Sequence, residues 1–375
     1  MNFGKIRKPF GGENKMNSLK EFYNGKTVLV TGCTGFKGAW LCMWLKELGA
    51  NVVGLGLRPR HERDDFITCD LKNKLNHWYG TDILDYEGVS NIVTSRSFDV
   101  IFHLAAQALV VPSYKNPYGT FQTNIQGTIN LLEAIRHSHQ GQLMNIVVVT
   151  SDKVYKHRND CYKLRETDTL GGDSPYAASK ACVELIVNSY RNSYPGNLRS
   201  IVTARAGNVI GGGDWNEYRI VPDIMRAIFT NKVLTLRHPS YVRPWQYVLE
   251  PLHGYLKLGK ELYYYQNSIA PAWNFGPSPS NEVSVERLVM RFRREIQRHV
   301  GRTLVIKEEK EEASNFVENN FLTLDSTLTR RGLNWKPVVS FSRMVKWTIG
   351  DYFHTDPYES RVQRIRLYHQ LLKKG

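Results

Sequence analysis

The chain has 375 residues, 42% hydrophobic and 23% charged, which are globular proportions and exclude a disordered or fibrous protein. That length exceeds what one core usually fills, so one large or two closely joined domains are expected, and no apolar run approaches the roughly 18 residues of a membrane span. Fifty lysines and arginines against 35 acidic residues give a formal charge of +15; the cations are scattered and no RNA-binding motif accompanies them, so the field suits a nucleotide diphosphate as well as it suits nucleic acid.

Residues 1–20 are basic without the apolar stretch of a secretory signal and read as a flexible leader. KTVLVT then predicts a strand, TGCTGFKG a turn, and AWLCMWLKELGA a helix ended by glycine. Gly32, Gly35 and Gly38 stand three apart. Residues without side chains let the backbone turn sharply and bring helix N-terminal amides against a pyrophosphate, and Thr34, Phe36 and Lys37 complete that turn. The plainer alternative is a tight strand-to-helix connection with no ligand, and its weight falls because the turn follows the first strand directly. NVVGLGL is a second strand. Beyond it Arg58 and Arg60 stand where a carboxylate would bind a ribose hydroxyl, which favours a 2′-phosphate and so NADP. Asp82, followed by Ile83, is placed at the end of a third strand, where it would meet an adenine amine.

FDVIFHLAA, MNIVVVTS and RSIVTARAG predict further strands, separated by the helical stretches NIQGTINLLEAIRHS and ASKACVELIVNSYRNS. This alternation predicts an α/β protein with a Rossmann-type, doubly wound parallel sheet and ligands at the C-terminal strand ends. MNIVVVT runs into Ser151, Asp152 and Lys153, a polar strand end that alone would read as an exposed turn. Tyr176 and Lys180, four apart, share one helix face; a phenol beside an ammonium is acidified toward a value at which it takes a proton from an alcohol. After about residue 207 the glycine-rich GNVIGGGDW opens a smaller mixed α/β lobe. The expected division is 21–206 plus about 240–268 for dinucleotide binding, and 207–239 plus about 269–375 for substrate. RLVMRFRREIQRH and RVQRIRLYHQLLKKG read as amphipathic helices with solvated basic faces. Five cysteines, odd in number and without a CxxC pair, predict no disulfide framework and no metal site, and suit a reducing cytoplasm.

TGxxGFxG, HLAAQ, the Ser-Asp-Lys strand end and YxxxK together resemble the extended short-chain dehydrogenase/reductase family, and the resemblance runs from about Lys26 through RAGNVIGGGDW, RPWQYVLEP, WNFGP and LDSTLTRRGLNWKP. Within that family, an acid and a base beside the strand-end serine resemble the sugar-nucleotide 4,6-dehydratases, those acting on CDP-glucose most of all. The resemblance implies NAD, held by the glycine turn with Asp82, Ile83, Ala105, Ala106, Gln107, Tyr176 and Lys180. It implies that Tyr176, Lys180 and Ser151 oxidise C4 of the hexose, that Lys153 removes the C5 proton, and that Asp152 protonates the departing C6 hydroxyl, giving a 4-keto-6-deoxy sugar for deoxysugar and O-antigen synthesis. Asn208 and Arg243 would meet the diphosphate, Gln107 and Ser113 the sugar, and Arg219 the substrate. A homodimer through a helix pair is implied as well. VYKHRNDCYKLRE departs from the family in lacking tryptophans. The alternatives are a 4-epimerase, a decarboxylase or a GDP-mannose-type dehydratase of the same family, and a catalytically silent nucleotide- or RNA-binding protein.

Overall fold

The computed structural model describes residues 19–138, 144–156, 162–194, 198, 200–308 and 321–374; the leader through residue 18 and Cys161 lie outside them. Seven short runs, five of them containing β-branched residues, form one parallel sheet: β1 (Thr27–Thr31), β2 (Asn51–Leu55), β3 (His77–Tyr79), β4 (Val100–His103), β5 (Asn145–Val149), β6 (Ile201–Ala206) and β7 (Ala272–Phe275), in the order β7-β6-β5-β4-β1-β2-β3. β4 and β5 are buried at every position, as strands covered on both faces must be. Val28 pairs with Val52 on one side and Val100 on the other, and the strand order reverses between β1 and β4. That reversal opens a crevice at their C-terminal ends.

The covering helices are α1 (Phe36–Glu47), α2 (Tyr86–Thr94), α3 (Gly127–Arg136), α4 (Pro175–Ser193), α5 (Ile220–Thr230), α6 (Leu249–Tyr265), α7 (Val285–Val300), α8 (Phe341–Phe353) and α9 (Pro357–Lys374). Successive strand residues face opposite sides, so Leu29, Ile101 and Ile146 join Leu131 of α3 and Val183 of α4, whereas Val28, Val100 and Val147 join Trp40 of α1 and Leu256 of α6. α1 is apolar nearly all round, with Trp40 and Trp44 fully buried, because α9 packs over its outer side.

Three expectations change. The third strand is His77–Tyr79 and stops before Asp82, which instead forms a turn: its Oδ1 accepts a hydrogen bond from the Leu84 amide at 3.0 Å. β7 pairs with β6 in the main sheet, so the first lobe extends past the division expected near residue 268. Finally, α9 does not present a wholly solvated basic face. Arg361 is 2% exposed and donates to both oxygens of Asp65 at 2.9 Å and to the Asp351 carbonyl, Arg364 pairs with Asp351, and Arg366 with Glu47. On α7 the exposed arginines surround a buried Glu295 that pairs with Arg291 at 2.8 Å. Among the described residues no helix is long and apolar enough to cross a membrane, and no group of His, Cys, Asp or Glu is arranged to hold a metal ion.

Candidate active site

The crevice is built from the end of β1. Thr31 Oγ1 lies 2.7 Å from His103 Nδ1 and accepts a hydrogen bond from the Ala105 amide, while His103 Nε2 meets Thr128 Oγ1 at 3.1 Å. Burial brings His103 down to about 3, so the ring is neutral and clamps the ends of β1 and β4 to α3. Gly32 follows with φ 71°, and a Cβ there would come within 2.7 Å of the Ala105 nitrogen; one on Gly38 would lie 2.0 Å from the Gly32 carbonyl oxygen. Both positions therefore require glycine. At Gly35 a Cβ would have 3.4 Å of clearance, and no side chain caps α1. An uncapped helix N-terminus at a topological switch point fits the pyrophosphate of a dinucleotide. Thr34 is half-buried beside it and Phe36 buried. Ile83 packs against Gly127 of α3, and Arg58 is exposed beyond the end of β2.

The loop after β4 differs from expectation. Gln107 is turned into its own loop, donating to the Leu109 carbonyl and Thr120 Oγ1 at 3.0 Å each and accepting from the Leu109 amide at 2.6 Å. Ser113 is fully buried with its hydroxyl on the Val110 carbonyl. Both polar side chains are thus engaged with nearby loop and helix groups, and the segment Ala108–Val111 lines the cavity in their place. Asn124 fixes this loop, accepting from the Gln107 amide at 2.8 Å and donating to the Gln107 carbonyl and to Ser179 of α4.

β5 delivers the reacting groups. Ser151 caps the short turn Asp152–Val154, its Oγ accepting from the Lys153 amide at 3.2 Å and donating to Asp152 Oδ1 at 3.0 Å. Ser174 caps α4, which brings Tyr176 to the same point. Burial pushes the Tyr176 phenol up and Asp152 adds to that, whereas the hydrogen bond with Ser151 and the Arg219 charge pull it down. Lys180 donates instead to the Val149 carbonyl at 3.1 Å, and burial lowers it to about 8. The acidification of Tyr176 by Lys180 expected from their spacing is therefore not seen: the phenol stays raised on balance, and the influences that lower it come from Ser151 and Arg219. Asp152 is pushed up by burial, against Lys153, Ser151, Arg243 and Lys37.

Ser151, Asp152, Lys153, Tyr176, Asn208, Arg219 and Arg243 line one cavity of about 620 Å³ between the sheet and the smaller lobe, and Phe36 and Lys37 border it from α1. Arg219 pairs with Asp214 at 2.8 Å; Arg243 is 5% exposed, with its guanidinium 5.1 Å from the Tyr241 ring centre. Behind the cavity is a buried layer that the sequence reading missed. Glu184 of α4 accepts from Thr150, Thr203 and Arg205, and Arg205 continues to the Tyr155 hydroxyl, which donates to Asn274. An arginine and an asparagine inside otherwise apolar strands, RSIVTARAG and AWNF, were the available signal.

A parallel sheet with its switch point at β1 and β4, and a Tyr-x-x-x-Lys helix facing it, is the architecture of the extended short-chain dehydrogenase/reductases. Residues 29–348 match the model of the GDP-mannose 4,6 dehydratase family, and the chain belongs to that family. It is 37% identical to the CDP-glucose 4,6-dehydratase of Salmonella typhimurium, covering 88% of this chain and 92% of that one. Human dTDP-D-glucose 4,6-dehydratase is 24% identical over 87% of this chain and 90% of its own. Solved structures share the fold: a Thermotoga maritima UDP-glucose 4-epimerase with UDP-glucose (TM-score 0.72, 22% identity, 87% of this chain and 98% of that one) and a Bacillus cereus UDP-glucuronic acid 4-epimerase with UDP-glucuronic acid and NAD (TM-score 0.71, 22% identity, 90% and 99%).

Proposed function

We propose that this protein is a sugar-nucleotide 4,6-dehydratase that converts CDP-glucose to CDP-4-keto-6-deoxyglucose with NAD held throughout. The observation that carries this reading is the placement of Asp152 and Lys153 together in a turn capped by Ser151, lining the same cavity as Tyr176. An oxidation needs Tyr176 and a cofactor, whereas an elimination needs an additional acid and base. Bound NAD would accept hydride from C4 and return it to C6. Tyr176, hydrogen bonded to Ser151, takes the C4 hydroxyl proton. The resulting ketone acidifies C5, whose proton Lys153 removes and gives back to C5 when C6 is reduced. Burial pushes Asp152 toward its protonated form, the form that donates to the departing C6 hydroxyl. Asn208, Arg219 and Arg243 hold the diphosphate, Arg243 with the planar fork suited to it.

The backbone of the glycine turn through Thr34, Phe36 and Lys37 holds the pyrophosphate in this reading, and Asp82 and Ile83 approach the adenine. The nucleotide base is taken from the relative at 37% identity, and NAD rather than NADP agrees with the NAD-bound structural neighbour. A cytoplasmic homodimer belongs to the same proposal. It is supported by the exposed Leu185 on α4, suited to pairing helices between copies, and by the free thiols Cys33, Cys42, Cys69 and Cys182. The test is product mass after incubation with CDP-glucose, dTDP-glucose, GDP-mannose or UDP-glucose, each with NAD or NADP. Loss of one water from CDP-glucose alone is expected. Unchanged mass with every donor would favour a 4-epimerase and overturn the proposal.

A further inference from the structure

Lys37 runs against local chemistry. It stands in the first turn of α1, where the helix dipole and uncapped amides disfavour a cation, yet it borders the cavity that Ser151, Asp152 and Tyr176 line. Its ammonium lies 5.8 Å from the ring centre of Tyr255. Tyr255 comes from α6, is fully buried, and has a hydroxyl without a hydrogen-bond partner among the described residues. Asp152 is in the same condition on one side: Oδ1 accepts from Ser151, but Oδ2 is buried without a hydrogen-bond partner. Gly207 closes over that oxygen so tightly that a Cβ there would come within 2.9 Å of it. The Asp152 carboxylate and the Lys37 ammonium thus line one cavity with the Tyr255 phenol behind Lys37, near enough for their charges to act on one another, and a buried polar group without a partner is costly enough to require an explanation.

We propose that Lys37 is a positioning residue for the elimination step, forming with Tyr255 the floor beneath Asp152 and setting whether that carboxyl holds its proton when the C6 hydroxyl leaves. This rests on the dehydratase reading above. The groups facing this part of the cavity come from every neighbouring element: Ser151 and Lys153 from the end of β5, Tyr176 and Lys180 from α4 with Glu184 behind them, Arg219 with Asp214 ahead of α5, Arg243 from the smaller lobe, and Tyr255 from α6. Burial lowers Lys37 to about 7, Arg219 and Lys180 add to that, and Asp152 opposes it. Near neutrality Lys37 is thus partly charged. Its ammonium form favours the Asp152 carboxylate; its neutral form favours the carboxylic acid that the elimination uses.

Lys37→Met keeps the length of the side chain and removes the charge; Lys37→Arg restores the charge. The first readout is the infrared titration of the carboxyl band that Asp152→Asn abolishes, in NAD-loaded protein without sugar nucleotide. Its midpoint should move to higher pH in K37M and back toward wild type in K37R. Lys37→Gln, which likewise removes the charge, should move it the same way and serves if K37M does not fold. The second readout is the alkaline limb of kcat with CDP-glucose, which should move up with K37M while KM holds. An unmoved midpoint, with only the affinity for NAD reduced, would make Lys37 a cofactor ligand and overturn the proposal. The infrared readout needs no turnover, so failure of wild-type protein to release water would sink the dehydratase reading and leave this result separately legible.

Discussion

A phenol sealed from water holds its proton, and Tyr176 is such a phenol, drawn back toward ionisation by Ser151 and Arg219. Ser151→Ala should therefore move the acid limb of kcat to higher pH, because the base must ionise without its hydrogen bond; an unmoved limb would show that Ser151 has no part in it. Asp152→Asn and Lys153→Ala act one step later. Each should lower product formation by on the order of a hundredfold or more, the usual contribution of a positioned acid or base, while reduced nicotinamide builds up on the enzyme and is visible in its absorbance. These residues were legible in the sequence as types in a pattern: a strand end of Ser-Asp-Lys and a Tyr-x-x-x-Lys helix. What the pattern concealed was direction. Lys180 turns to the Val149 carbonyl and Gln107 into its own loop, because each finds a backbone partner that spacing along the chain does not reveal.

At the scale of elements, two buried ion pairs fix the frame that aims those groups. Glu184 and Arg205, each side chain 3% exposed, tie α4 to β6; Asp65 and Arg361 tie α9 to the segment after β2. Breaking a buried pair leaves one charge uncompensated, so Arg361→Met should cost about 3–5 kcal/mol, and adding Asp65→Asn should recover part of that loss. Urea unfolding of the single and double variants checks this. The strands β1, β4, β5 and β6 were visible in the sequence because they are continuous β-branched runs buried on both faces. The bounds of β3 were not: His-Trp-Tyr is half-exposed at the sheet edge and carries no apolar run, so the expected strand end fell on Asp82. β7 is four residues long, and its Asn274 disguises it by serving the polar layer of Tyr155 and Arg205. The basic periodicity of α9 suggested a solvated face, since spacing cannot show that Asp65, 296 residues distant, waits beneath it.

For the whole molecule, a carboxyl that ties the middle of the chain to its C-terminal segment is that of Glu250. It starts in α6, accepts from the Val338 and Val339 amides ahead of α8 at 2.9 and 2.6 Å, and burial pushes it up to about 8. An unfolded glutamate titrates near 4.3. Between those values the folded protein binds the extra proton, so this contribution is fully present below about pH 4.3 and is lost as pH rises toward 8. Glu250→Gln should flatten the fall of Tm across that window; a slope equal to wild type would contradict the assignment. The excess of 15 positive charges was legible from composition, but its use was not. Several arginines are committed to internal pairs, while Arg219 and Arg243 both line the cavity, an arrangement suited to an anionic ligand.

The measurement that reaches the central claim most directly follows one hydrogen. CDP-glucose carrying deuterium at C4 should yield a 4-keto-6-deoxy product with deuterium at C6, one water lost, and no net gain of reduced nicotinamide, as read by mass spectrometry and proton NMR. Deuterium released into free reduced cofactor, or retained at C4 of an undehydrated sugar, would contradict the account.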